Sequence, residues 1–348
     1  MKKYRLPALI LAIMVISAGC SGQISDSASE TDTPQAEESS EQTDEVTKED
    51  MNNTVTDASL PEALAEIPEE YNSESEYPGT LVELEYDTYE SMTYEEQETV
   101  LRKRAIVYLP YGYSEDTQYN VFYLMHGGWS DETTYLGTPE HPNVFKNILD
   151  NGIAKGKILP MIVVCPTYNN ESDTDSSDYS LALELTDNYH NELINDLIPA
   201  VESTYSTYAA DTTPDGLRES RDHRAFCGFS MGSVTTWRTF QYCLDYFRYF
   251  MPSSGSLTTD GDCMASIVRD SGHDWDDFFI FAASGTDDFA YSSFKAQIEA
   301  MADVSDGTFR YADNEREGNL YFLEQEGGVH NGDYAMEYFY NGLCWIWQ

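Results

Sequence analysis

Positive charge is scarce in this sequence. Nineteen Lys and Arg residues face 62 Asp and Glu, a formal charge of −43 over 348 residues. Such a surface repels phosphate backbones and anionic headgroups, which excludes nucleic acid and anionic membrane surfaces as partners. A neutral ligand suits it. Long apolar runs are scarce too. The run at residues 6–16 is too short to span a bilayer as a helix. Cysteine is limited to six residues. Setting aside Cys20, five remain: Cys165, Cys227, Cys243, Cys263 and Cys344. An odd number in an exported chain argues against a fully paired disulfide framework. Cys165 and Cys227 fall in apolar runs and read as small buried side chains. A Cys243–Cys263 bridge is left open. The acidic segment 169–178 lacks the glycine of an EF-hand loop. Asp173, Asp175 and Asp178 therefore read as a solvated rim and not as a calcium site.

At the N-terminus, Lys2, Lys3 and Arg5 precede the apolar run, and Ser17-Ala18-Gly19-Cys20 follows it. This is the pattern of an export signal. Small residues before a cysteine resemble a bacterial lipobox, which implies that Cys20 carries lipid. Ser17 stands where that motif usually has an aliphatic residue. The expectation is a cell-surface lipoprotein that meets the membrane only through its anchor. Cleavage near Ala18 would instead give a soluble secreted protein. Residues 21–76 hold 17 acidic side chains and one basic one, Lys48. Too little apolar surface is available there to offset ordering entropy, so a disordered linker is expected. A short helix at 60–67 is the one element anticipated within it.

The folded domain is expected at 77–348. Segments 79–89 and 100–109 alternate like an antiparallel pair. Short apolar runs follow at 121–125, 161–165, 224–228, 249–252, 278–283 and 320–323. Helical patterns separate them at 143–154, 181–205, 231–246, 292–301 and 333–347. Apolar strands alternating with helices predict an α/β fold, a mostly parallel sheet covered on both faces. Active sites on such sheets form at the carboxyl ends of the strands. The loops after Leu124, Cys165, Gly228, Ser284 and Leu323 should share that face.

Gly228-Phe229-Ser230-Met231-Gly232 has the form G-x-S-x-G between a strand and a helix, the setting of a nucleophile elbow. The Met231 amide then opens a helix, where unpaired donors favour an oxyanion. A serine hydroxyl needs a base. In this fold the order is Ser, then Asp or Glu, then His. Of six histidines, only His330 follows both the serine and a suitable acid loop. That loop carries Asp287 and Asp288, between which pattern alone does not choose. The His126-Gly127-Gly128-Trp129 loop should supply a second oxyanion donor through the bare Gly128 amide, with His126 bracing the loop. Trp129, Tyr135 and Tyr168 are the candidates for the substrate rim.

These residues resemble the feruloyl esterase and esterase D group of α/β-hydrolases, carbohydrate esterase family 1, over about residues 78–348. The carriers are residues 123–128, the helix 192–199, the elbow, and the segment Gly285-Thr286-Asp287-Asp288-Phe289-Ala290-Tyr291. In that group the second acidic position of the last motif holds the triad acid, which implies Asp288. Ser233 stands where the group commonly has a second glycine. The resemblance implies an α/β-hydrolase that cuts feruloyl esters of plant xylan with Ser230, His330 and Asp288, and needs no metal or cofactor. Other acyl esters (acetyl xylan or a siderophore ester) are the alternative within the same chemistry. Acyl transfer uses the same three residues. A non-catalytic glycan-binding surface lipoprotein is the alternative from another class.

Overall fold

The computed structural model describes residues 60–348. The expected export signal, Cys20 and most of the expected linker lie outside the described residues. Eight strands form one sheet: β1 Thr80–Tyr89, β2 Val100–Leu109, β3 Asn120–Met125, β4 Met161–Cys165, β5 Arg224–Phe229, β6 Tyr249–Ser253, β7 Phe279–Gly285 and β8 Leu320–Gln325. Their order across the sheet is β1-β2-β4-β3-β5-β6-β7-β8. β1 and β2 are antiparallel, and β2 meets β4 antiparallel; the pairings from β4 through β8 are parallel. β3 through β7 are apolar and almost wholly buried, as strands covered on both faces must be.

The helices are α1 Val144–Ala154, α2 Tyr179–Glu192, α3 Ile198–Thr204, α4 Pro214–Glu219, α5 Met231–Cys243, α6 Gly261–Ser271, α7 Tyr291–Ala302 and α8 Gly332–Leu343. Two apolar layers sandwich the sheet. One packs Phe145, Ile148 and Leu149 of α1 and Phe339 and Leu343 of α8. The other packs Leu185 and Tyr189 of α2, Trp237 and Phe240 of α5, Met264 of α6 and Phe294 of α7. This is the α/β-hydrolase architecture.

Three expectations change. The helix expected over 181–205 is interrupted by a π turn at Leu193–Leu197, between α2 and α3. Residues 60–67 form no helix, and residues 60–76 pack on the domain, so its boundary lies before Tyr77. Leu60 and Tyr71 are buried. The Leu60 amide donates to the Asp313 carbonyl at 2.8 Å. Asn341 clamps Ala65 with two bonds of 2.8 Å. Composition failed here because two buried apolar side chains suffice to dock an otherwise polar segment. The five described cysteines are all unpaired; Cys243 is buried on α5 and Cys263 exposed on α6, so they form no bridge.

Candidate active site

β5 ends in the elbow. Ser230 takes φ 60° and ψ −119°, a region that costs a non-glycine residue about 1–3 kcal/mol and persists only where its surroundings hold it. Three backbone bonds do so. The Ser230 amide donates to the Ser253 carbonyl at 2.9 Å, and the Ser230 carbonyl accepts from Ser233 and Val234 at 3.0 and 3.2 Å. The two flanking glycines are required by space. A Cβ on Gly228 would lie 2.3 Å from the Gly232 carbonyl oxygen, and one on Gly232 would lie 2.4 Å from that of Met125. Ser233 is accommodated because its hydroxyl donates to the Gly255 carbonyl at 2.7 Å, and Gly255 supplies the bare backbone beside it.

β7 and β8 bring the acid and the base together. Their exit loops are pinned by the Asp287 amide to the Gly328 carbonyl at 3.0 Å and by the Gly327 amide to the Thr286 hydroxyl at 2.8 Å. His330 Nδ1 then lies 2.8 Å from each Asp288 oxygen. A carboxylate only accepts, so Nδ1 carries the proton and Nε2 is left as the basic nitrogen. Asp288 is 6% exposed, whereas Asp287 is exposed to solvent. Burial alone would raise the Asp288 pKa. The bonds from His330 and the Ala290 amide outweigh it and hold the carboxyl below its ordinary value. Among the described residues no hydrogen bond joins Ser230 Oγ to His330. The His330 ring does pack on Phe229, the neighbour of Ser230, at 4.4 Å between centroids.

The loop after β3 carries the second expected donor. Gly128 and Met231 both line the Ser230 cavity. Neither backbone amide donates to a protein acceptor among the described residues. Behind the loop, His126 Nδ1 donates to the Gly127 carbonyl at 2.7 Å, so its Nε2 accepts from the Thr167 hydroxyl at 2.7 Å. Burial holds this imidazole neutral, with a pKa lowered to about 4. The Tyr168 hydroxyl donates to the same Gly127 carbonyl at 2.9 Å, and its ring stacks on His126.

The cavity at Ser230 has a volume of about 330 Å³. Of the three aromatic residues expected on its rim, the structure places only Trp129 there, 75% exposed. Tyr135 is buried against Phe339, and Tyr168 is buried as the brace of Gly127. Both sit on the right loops, but their rings turn into the core. Two aromatic residues not foreseen take their place: Phe289, 82% exposed, and Tyr179, 62% exposed. Phe289 directly follows the acid in the chain. Tyr179 opens α2, after the Asp178 cap. The acidic segment serves the same region as scaffold: Asp175 accepts from the Asn170 and Ser172 amides, each at 3.0 Å.

Residues 99–292, more than half of the chain, match the Esterase family model, described as "Putative esterase". Endo-1,4-beta-xylanase Y of Acetivibrio thermocellus is 42% identical over 248 residues, 70% of this chain and 22% of that protein. Endo-1,4-beta-xylanase/feruloyl esterase of Xylanibacter ruminicola is 30% identical over 159 residues, 44% of this chain and 20% of that protein. The chain thus spans about a fifth of the length of these curated relatives. A serine-to-alanine mutant of the feruloyl esterase module from Clostridium thermocellum, complexed with sinapinate, is a similar solved structure. It is 36% identical with a TM-score of 0.71, and the match covers 84% of this chain and 95% of that one.

Proposed function

The chain belongs to the esterase family of α/β-hydrolases, and from that premise we propose that it is a serine esterase acting on hydroxycinnamoyl esters of plant xylan. The observation that carries the reading is the Asp288–His330 pair beside a strained Ser230, at a cavity rimmed by three exposed aromatic rings. Ser230 Oγ attacks the ester carbonyl while His330 Nε2 takes its proton. Asp288 fixes the tautomer and stabilises the imidazolium. The Ser230–His330 contact closes with substrate in place, as catalytic hydrogen bonds commonly do. The carbonyl oxygen, now negative, is received by the Gly128 and Met231 amides, which have no competing acceptor. His330 returns the proton to the leaving sugar hydroxyl. It then draws a proton from water, whose oxygen attacks the acyl-enzyme, and passes that proton to Ser230 Oγ as the acyl–Oγ bond breaks and the acid leaves.

The acyl group follows from the rim. A feruloyl ring is flat and apolar over its faces, and offset or edge contacts with Trp129, Tyr179 and Phe289 suit it. The relatives that carry xylanase and feruloyl esterase names support the sugar side. The test compares methyl ferulate with ethyl acetate on purified protein. We expect the higher kcat/KM for methyl ferulate and loss of both activities in Ser230→Ala. Preference for the acetyl ester would retain the mechanism and overturn the substrate. Absence of any hydrolysis would favour the glycan-binding alternative.

A further inference from the structure

The His330 ring touches two phenyl rings. Phe229 lies 4.4 Å away between centroids, tilted by 37°, and Phe289 lies 4.2 Å away, tilted by 40°. Among the described residues the two phenyls make no ring contact with each other, so they meet the imidazole from different sides. They differ in what holds them. Phe229 is buried at the end of β5. Phe289 is 82% exposed and lines the same cavity as Ser230. The backbone of Phe289 is nevertheless fixed. The Ala290 amide donates to Asp288 Oδ1 at 2.7 Å, and the Tyr291 amide to the Asp288 carbonyl at 3.1 Å. The carboxylate that grips Nδ1 therefore also sets where Phe289 can stand. A ring held at one nitrogen keeps the broad torsional freedom of an sp³–sp² bond. Neighbouring phenyl rings restrict that swing, and Phe289 is the one a ligand can reach.

We propose that Phe289 is a positioning residue that couples binding of an aromatic acyl group to alignment of His330. This rests on the esterase reading above. A flat acyl group entering the cavity covers the solvent side of Phe289 and presses it onto the imidazole, so that Nε2 is held toward Ser230. An acetyl group is too small to cover the ring. Aromatic esters thereby gain in kcat as well as in KM. Aromatic pair energies convert to about threefold to tenfold in rate.

The experiment uses Phe289→Ala, Phe289→Leu and Phe289→Tyr in the full chain, with three readouts. Methyl ferulate and ethyl acetate give kcat and KM. An alkyl fluorophosphonate gives the labelling rate of Ser230. In that reaction a Ser230 Oγ–P bond forms, fluoride leaves, and His330 takes the serine proton, with no aromatic acyl group present. We expect Phe289→Ala to slow labelling and the kcat for ethyl acetate by the same factor, about threefold to tenfold. Methyl ferulate should lose more, with a raised KM in addition. Phe289→Tyr should restore all three, and Phe289→Leu only part. Unchanged labelling and unchanged ethyl acetate turnover, with only the KM for methyl ferulate raised, would overturn the proposal and leave Phe289 a simple contact. If wild type cuts neither ester yet labels in a Phe289-dependent way, the substrate reading fails and the positioning role stands.

Discussion

At Asp287 and Asp288 one step along the chain takes a carboxylate from solvent to a buried bond with His330. Asp288→Asn should lower kcat by about 10⁴-fold, because an amide can donate to Nδ1 and hold the wrong tautomer. Asp287→Asn should cost far less; steady-state kinetics of the two variants check the ranking. His126 gives a stability prediction. Its pKa is lowered to about 4 in the fold by burial, against about 6.5 in the unfolded chain. Between those values the unfolded state binds the extra proton, so stability is complete above about pH 6.5 and falls as pH drops toward 4. The loss is on the order of 3 kcal/mol for this group. Urea midpoints at pH 7 and 5 should separate in wild type and draw closer in His126→Gln. Ser230 was legible from its G-x-S-x-G setting between a strand and a helix, and His330 because chain order left no competitor. Tyr135, Tyr168, Tyr179 and Phe289 were not, because a loop position does not say whether a ring turns inward or out.

The strands were legible because six are short apolar runs and β1 and β2 alternate, and all eight stand where the sequence placed them within a residue or two. Most of the helices that pack on the sheet were legible from the same alternation. Two others were missed: α4 is a six-residue helix capped by Thr213, and α6 was read only as an aspartate cluster, of which Asp260 is its cap. The break of 181–205 is a tertiary effect. At the junction of α2 and the π turn, buried Glu192 takes Lys103 of β2 at 2.7 Å and the Tyr86 hydroxyl at 2.6 Å. Lys103 Nζ also donates to the Thr167 carbonyl at 2.8 Å, and Thr167 holds His126. A buried ion pair thus stands behind the oxyanion loop. Lys103→Met leaves a buried carboxylate unpaired and should cost about 3–5 kcal/mol. Lys103→Met with Glu192→Leu should recover much of that stability. The oxyanion loop would still lack its brace, so kcat in the double variant should stay low, which thermal melts and methyl ferulate kinetics separate.

Across the whole molecule the charge is −43, yet the Ser230 cavity is lined by aromatic, apolar and small polar residues and by no charged side chain. We propose from the motif at residues 1–20 that the protein is anchored at the cell surface, where polymeric substrate is found. Cys20→Ala should move the protein from the membrane fraction to the medium; unchanged fractionation would count against the anchor. The boundary of the folded domain gives the other test at this scale. Residues 60–76 carry 6 of the 17 acidic side chains of the segment 21–76 (Glu62, Glu66, Glu69, Glu70, Glu74 and Glu76), which is why composition grouped them with the linker. Yet Tyr71 meets Tyr340 edge-on at 6.2 Å, and the Tyr321 hydroxyl donates to the Pro61 carbonyl at 2.6 Å. Burying Leu60 and Tyr71 contributes about 3–6 kcal/mol at the extended-chain limit. A chain beginning at residue 58 should therefore match the full chain in urea midpoint and in kcat/KM for methyl ferulate. One beginning at residue 77 should lose much of that stability, because α1, α8 and the loop at Asp313 lose what covers them. Equal midpoints for the two truncated chains would return the boundary to Tyr77.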